Sequence, residues 1–210
     1  MNCAECQLLF CYQGIKDGFP GCPMEDRRFF DESLELLLKE ENHRFFLTSS
    51  RIEAKGYGRW PRALEIMRFC KDMEYEKIGI AFCVGLRKEA AIFNRILKEH
   101  GFLTASAICK GGAISKEEVG MSDEEKVRPG KNEMICNPIA QALRLNHERT
   151  DFNVAIGLCV GHDSLFYKYS EAPVTTLVTK DRRLGHNPVA GLYLADSGYI
   201  KDAFSEAMGE

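Results

Sequence analysis

Nine cysteines, at positions 3, 6, 11, 22, 70, 83, 109, 136 and 159, are the residues of this 210-residue chain best suited to chemistry. Their odd number argues against a disulfide framework and for metal ligation or thiol chemistry. Four fall in the first 22 residues, as Cys3-x2-Cys6-x4-Cys11-x10-Cys22. A pair at i, i+3 lets one tight turn present two thiolates to one ion. Four thiolates suit a closed tetrahedral zinc site or a [4Fe-4S] cluster, and the spacing leaves that choice open. A short segment with so many thiols and so little apolar sequence needs a staple.

The other cysteines are dispersed, and what matters is which elements carry them. Ile78 to Val84 is a short apolar run closed by Gly85, which predicts a buried strand. Arg87 to His100 is helical in period, with Gly101 at its C-cap. Phe102 to Cys109 predicts the next strand, so the three elements form a βαβ unit with parallel strands. Residues 111–133 are charged and aperiodic and predict an exposed excursion, with a short helix from Ser115. Asn137-Pro138 opens a helix to about Glu148, with Asn as N-cap and Pro at the first helical position. Val154 to Val160 predicts a third strand, Ser164–Tyr169 a short helix, and Val174 to Thr179 a fourth strand. Asn187-Pro188 opens the last helix. Upstream, helical spacing begins at Phe30, residues 43–54 fit helix or strand equally, and Ala63, Ile66, Met67, Cys70 and Met73 make an apolar helical stripe. That stripe makes Cys70 a core thiol.

Three matches recur in the same order: IAFCVG (80–85) with IGLCVG (156–161), the strand ending Ile108-Cys109-Lys110 with the one ending Val178-Thr179-Lys180, and CNPIA (136–140) with HNPVA (186–190). The pattern predicts an internal duplication over 77–150 and 151–210. It places Cys83, Cys109 and Cys159 at strand ends, and Cys136 and His186 at helix starts. Ligands of open parallel sheets bind outside the carboxyl ends of the strands, so these residues and His162 map to one rim. Cys83, Cys109, Cys136 and Cys159 then form a second metal or cofactor site, with His162 or His186 as an alternative ligand. The competing reading is a thiol active site. There Cys136 is activated by a helix N-terminus, His186 acts as base, and Lys180, with Lys110, Arg182 and Arg183, holds a small anionic ligand. The plainer reading makes Cys83 and Cys159 small apolar strand-end residues. The Gly85 and Gly161 turns match neither dinucleotide nor P-loop spacing, and tight turns explain both.

Lys and Arg number 28 against 31 acids, a net charge of -3, which argues against a general nucleic-acid-coating role. The longest uncharged stretch, Leu184 to Ala195, is too short to span a membrane and holds Gly185, Pro188 and Gly191. With no signal-like start in MNCAECQLLF, the expected location is the cytoplasm, where thiols stay reduced.

CxxCxxxxC near the start, the CVG strand end, CNPIAQA, LCVGHDSLF, APVTTLV and KDRRLGHNPVAGLY together resemble a family of small uncharacterised prokaryotic proteins, known only as a domain of unknown function with metal binding expected. The resemblance spans nearly the whole chain, and residues 155–193 are its most specific part. It implies metal binding through Cys3, Cys6, Cys11 and Cys22, and it brings no reaction or substrate.

The expected architecture is α/β: a parallel, Rossmann-like layered sheet with a βαβ duplication, preceded by a cysteine metal knuckle. Three segments are expected: the knuckle over 1–23, a helical segment packed on the body over 24–76, and the α/β domain over 77–210. The expected function is metal binding through zinc or a [4Fe-4S] cluster, with redox or thiol-dependent chemistry at the inner rim. The alternative is a non-enzymatic interaction module stabilised by zinc.

Overall fold

The computed structural model describes residues 2–200, 203 and 206. The chain divides into two compact units, Met1–Tyr57 and Gly58–Glu210, so the division falls inside the helical segment expected over 24–76.

The first unit opens with a turn of 3-10 helix, Cys3–Glu5, in which the Cys6 N–H donates to Cys3 O at 3.2 Å. Two helices follow, α1 (Arg28–Leu37) and α2 (Glu40–Gly56). The segment 43–54, ambiguous by pattern, is helical throughout. Its charged residues follow no two-residue alternation, and only Thr48, Ile52 and Gly56 are buried, at one-turn intervals.

The second unit begins with α3 (Arg62–Asp72), which buries Ile66, Met67, Phe69 and Cys70 as the apolar stripe requires. Then come β1 (Lys77–Phe82), α4 (Arg87–Glu99), β2 (Leu103–Ile108), α5 (Pro138–His147), β3 (Phe152–Ile156), α6 (His162–Tyr169), β4 (Val174–Val178) and α7 (Pro188–Leu194). The strands form one sheet in the order β2-β1-β3-β4, with all three pairings parallel. From β1 the chain crosses to β2 on one side, and from β3 it crosses to β4 on the other. The order therefore reverses between β1 and β3, and the carboxyl ends of these two central strands flank the crevice where such folds take ligands.

Side-chain size decides which helix covers which face. Ala81, Ala107 and Ala155 share a face with Ala142 and Leu145 of α5 and Phe166 of α6, and short side chains let those helices approach closely. Gly79 lies on the same face, where a Cβ would collide with Asn153 Oδ1 and meet Leu145 Cδ1 at 3.0 Å. Asn153 cannot yield: it accepts from Thr150 Oγ1 and donates to Ser170 Oγ, both at 2.8 Å, and is fully buried. The opposite face is filled by Ile78, Ile80, Val154 and Ile156, with Phe152 packed on Phe69 of α3 at 5.4 Å between ring centroids.

Both Asn-Pro pairs start helices, and their asparagines have nearly the same backbone: Asn137 φ -115°, ψ 79°, and Asn187 φ -116°, ψ 78°. Asn137 caps α5 by accepting from the Ala140 N–H at 2.9 Å. The third strand is shorter than the apolar run. It ends at Ile156 instead of Val160, because Gly157 turns into the left-handed region with φ +64°. Cys159 therefore lies in the turn beyond β3 and not within it. The short helix expected from Ser115 is two single 3-10 turns, Glu117–Val119 and Asp123–Glu125, in an excursion held by the Lys126 ammonium against Glu117, Asp123 and Lys131 O. Among the described residues no helix is long and apolar enough to cross a membrane.

Candidate functional site

The sulfurs of the inner set are delivered by separate pieces of chain. Cys83 follows β1 directly and caps a 3-10 turn, Val84–Leu86. Its N–H donates to Ile156 O at 3.0 Å, which fixes it between the two central strands. Cys109 follows β2 and donates its N–H to Phe82 O at 2.9 Å. The excursion after it returns through a bridge between Ser115 and Met134, so that the Asn137 N–H reaches Cys109 O at 2.8 Å and Cys136 arrives beside Cys109. Cys159 comes from the turn after β3, and His162 from the first residue of α6.

Cys83, Cys109, Cys136, Cys159 and His162 line one pocket at the carboxyl edge of the sheet, with Gln141 and Leu158 as its remaining walls. Its volume is about 10 Å³, room for a guest the size of one water or ion. Cys109 is 3% exposed and touches both Cys83 and Cys136. The other contacts are cationic or N–H donors: Val84 N–H to Cys109 Sγ at 3.3 Å, Lys180 Nζ to Cys83 Sγ at 3.4 Å, and Arg182 Nη2 to Cys159 Sγ at 3.0 Å. A thiol hydrogen bond from Cys109, opposed by partial burial and helped by the Gly85 N–H and Lys180, draws the Cys83 thiol below its usual range. Cys136 is lowered in the same way by Cys109, with help from Lys110 and His162. Cys109 is raised, first by Cys136 and then by Cys83. One S–H donates to one acceptor at a time, so the two flanking thiolates compete for the single Cys109 proton.

Two polar atoms in this pocket lack a partner among the described residues: His162 Nδ1 and Gln141 Oε1. Gln141 is 2% exposed, and its amide nitrogen donates to Phe82 O and Ala107 O at 3.2 and 2.7 Å, which leaves its oxygen free for the pocket. Buried polar atoms without partners cost roughly 1–3 kcal/mol each, so a guest that satisfies them gains that amount. As the side chains stand, no group of three or more His, Cys, Asp or Glu among the described residues is arranged to hold a metal ion. By chemistry, four thiols and an imidazole nitrogen fit a thiophilic ion.

His186 does not line the pocket. Its backbone is left-handed, φ +66°, and its Nδ1 accepts from the Asp181 N–H at 3.1 Å, which turns the ring into its own loop. Lys110 donates to Met134 O and Arg183 to Tyr199 O. Cys70 is buried under α3, away from the rim, and burial pushes its thiol up to about 12. In the first unit, Cys3 and Cys11 are exposed and Cys6 and Cys22 half-buried; Cys22 Sγ accepts from the Met24 N–H at 3.5 Å. These four are not gathered around one centre. Gln141 had a legible signal: it occupies a core position in the series Pro138, Gln141, Ala142, Leu145 on the buried side of α5.

A family model described as a protein of unknown function, DUF1847, matches residues 22–177. The chain belongs to this family. The DUF1847 match contains Cys83, Cys109, Cys136, Cys159 and His162 and leaves Cys3, Cys6, Cys11, Lys180 and Arg182 outside it. An uncharacterised protein of Methanocaldococcus jannaschii, MJ0455, is 44% identical over 193 residues, covering 92% of this chain and 94% of its own length. No solved structure matches.

Proposed function

We propose that this DUF1847 protein binds a single thiophilic metal ion, zinc by preference, at the carboxyl edge of its sheet. Cys83, Cys109, Cys136 and Cys159 would hold it, with His162 as alternative ligand. The observation that carries this reading is the convergence of four thiols from four chain segments, with an orphaned imidazole nitrogen, on a pocket with room for one ion. A [4Fe-4S] cluster would need that pocket to open. Bound metal supplies a Lewis-acid centre, and ligation would free Lys180 and Arg182 from their sulfurs to face a small anionic ligand. The pairing of Cys83 with Cys159 and of Lys110 with Lys180, and the matched Asn-Pro helix starts, support an internal duplication whose pseudo-twofold axis passes between β1 and β3. All nine thiols are free, which suits a reducing compartment.

A second reading concerns the first unit, where residues 2–26 contain no buried residue. A segment without a core gains most from a staple, which favours a structural zinc or cluster on Cys3, Cys6, Cys11 and Cys22.

Cobalt(II) titration of metal-free protein under anaerobic conditions tests both readings through thiolate-to-metal charge-transfer bands. The variant C3S/C6S/C11S/C22S should retain one thiolate-rich equivalent, and adding C109S should weaken it. A structural zinc site is worth about 10–16 kcal/mol, so one of four thiolates contributes about 3 kcal/mol, and C109S alone should weaken inner-site binding about 100-fold. The single variant C6S should lose the other equivalent and speed amide exchange over 2–26, leaving the sheet protected. A quadruple variant that binds no cobalt would refute the inner site.

A further inference from the structure

The inner sulfurs are also placed to react with one another. Cys109 is nearly fully buried and touches Cys136. The backbone bond from Asn137 N–H to Cys109 O, at 2.8 Å, ties the two chain segments together at that point. Cys136 is half-buried, one residue before the N-cap of the ten-residue helix α5, so it is reachable from solvent where Cys109 is not. Cys83 also touches Cys109, but it is 7% exposed and pinned by its own N–H to Ile156 O. Gln141 Oε1 and His162 Nδ1 border the same pocket without partners among the described residues.

We propose that Cys109 and Cys136 form a reversible disulfide by exchange with a small external disulfide, with Cys136 attacking and Cys109 resolving. This rests on the inner rim being a functional thiol site, but it concerns the protein without its metal. In the first step the Cys136 thiolate bonds to one sulfur of R–S–S–R. The external S–S bond breaks, and RS⁻ leaves. Cys109 then gives its proton to the departed RS⁻, and its sulfur attacks Cys136 Sγ and expels the second RS⁻. Two protein thiols are oxidised and one external disulfide is reduced to RSH and RS⁻, so electrons and protons balance. Burial of Cys109 sets the order, because an incoming disulfide reaches Cys136 and not Cys109. The resulting bond removes two of the four proposed ligands, so oxidation and metal binding exclude each other.

The test uses full-length, chelated protein and glutathione disulfide at neutral pH, read by non-reducing peptide mass mapping. Wild type should yield a linked Cys109–Cys136 peptide that dithiothreitol releases. C109S should accumulate glutathione on Cys136, and C136S should give neither linkage nor an adduct on Cys109. Should C136S fail to fold, wild type alkylated beforehand on Cys136 serves instead, and must not link. A Cys83–Cys109 linkage, or adducts on Cys159 with no linkage, would overturn the assignment. Because the assay contains no metal, its failure leaves the cobalt result standing, and a failed cobalt titration leaves this one to be decided separately.

Discussion

Metal-free protein treated with iodoacetamide at pH 7 should be alkylated on Cys136 at least about 100 times faster than on Cys70. Burial holds the Cys70 thiol at about 12, so about one molecule in 10⁵ carries its thiolate at neutral pH. Cys136, lowered to about 5 by its hydrogen bond from Cys109, is almost wholly thiolate. A thiolate of lower pKa is a weaker nucleophile, with a Brønsted slope of about 0.4–0.5, and this gap in pKa costs Cys136 about 10³. The ionisation advantage of about 10⁵ wins by about 10², and the burial of Cys70 widens the ratio. The pH profiles should separate as well. Cys136 should react at a constant rate from pH 6 to 9 and slow about tenfold per unit below its pKa, whereas Cys70 should accelerate about tenfold per unit toward its own. Cys70 also has a stability consequence. Its folded pKa lies above the ordinary value of 9.0, so its contribution is full below pH 9 and is lost as pH rises toward 12. Cys70→Ala should flatten that alkaline loss. Equal labelling rates for Cys70 and Cys136 would remove the case for an activated rim.

The parts of the fold that are legible in the sequence are those where one element decides its own pattern. β1, α4, β2 and α5 emerge from apolar runs and caps, and the placement of Cys83 and Cys109 at strand ends follows from them. Pattern alone carries β3 past Cys159, because the apolar run Val154–Val160 continues beyond the point where Gly157 leaves the sheet. Apolar composition reports burial, and the turn after β3 is itself buried through Leu158. The repeated Asn-Pro aligns His186 with Cys136. Local similarity fixes the backbone but not a ring that bonds within its own loop. Charge alone assigns Arg182 to an anion; in the structure it holds a sulfur. The α2 segment is ambiguous in sequence because few of its residues are buried, so its period carries little signal. The four N-terminal cysteines have the spacing of a metal knuckle but are not gathered around one centre, since a short segment without a core has no packing to organise it.

Gly157→Ala should destabilise the second unit by about 3 kcal/mol and disturb both halves of the cysteine rim. Two costs add. The residue has φ +64°, and an alanine held there loses about 1–2 kcal/mol. Its Cβ would also fall well inside contact with Leu86 Cδ1 and at 3.2 Å from Leu86 Cγ, an overpacking cost of about 1–3 kcal/mol. Leu86 has little room to retreat: it is 3% exposed, and its N–H donates to Cys83 O at 2.8 Å, closing the turn that Cys83 caps. Pushing Leu86 therefore moves Cys83, while the strained backbone moves Cys159 two residues further on. The denaturant midpoint should fall with its slope unchanged. Gly161→Ala separates the two costs, because Gly161 has φ +80° and open space where a Cβ would stand. That variant should lose only the backbone part, about 1–2 kcal/mol. A Gly157→Ala loss no larger than that of Gly161→Ala would show that Leu86 yields freely. The tight coupling of the two central strand ends, on which the shared site depends, would then fail.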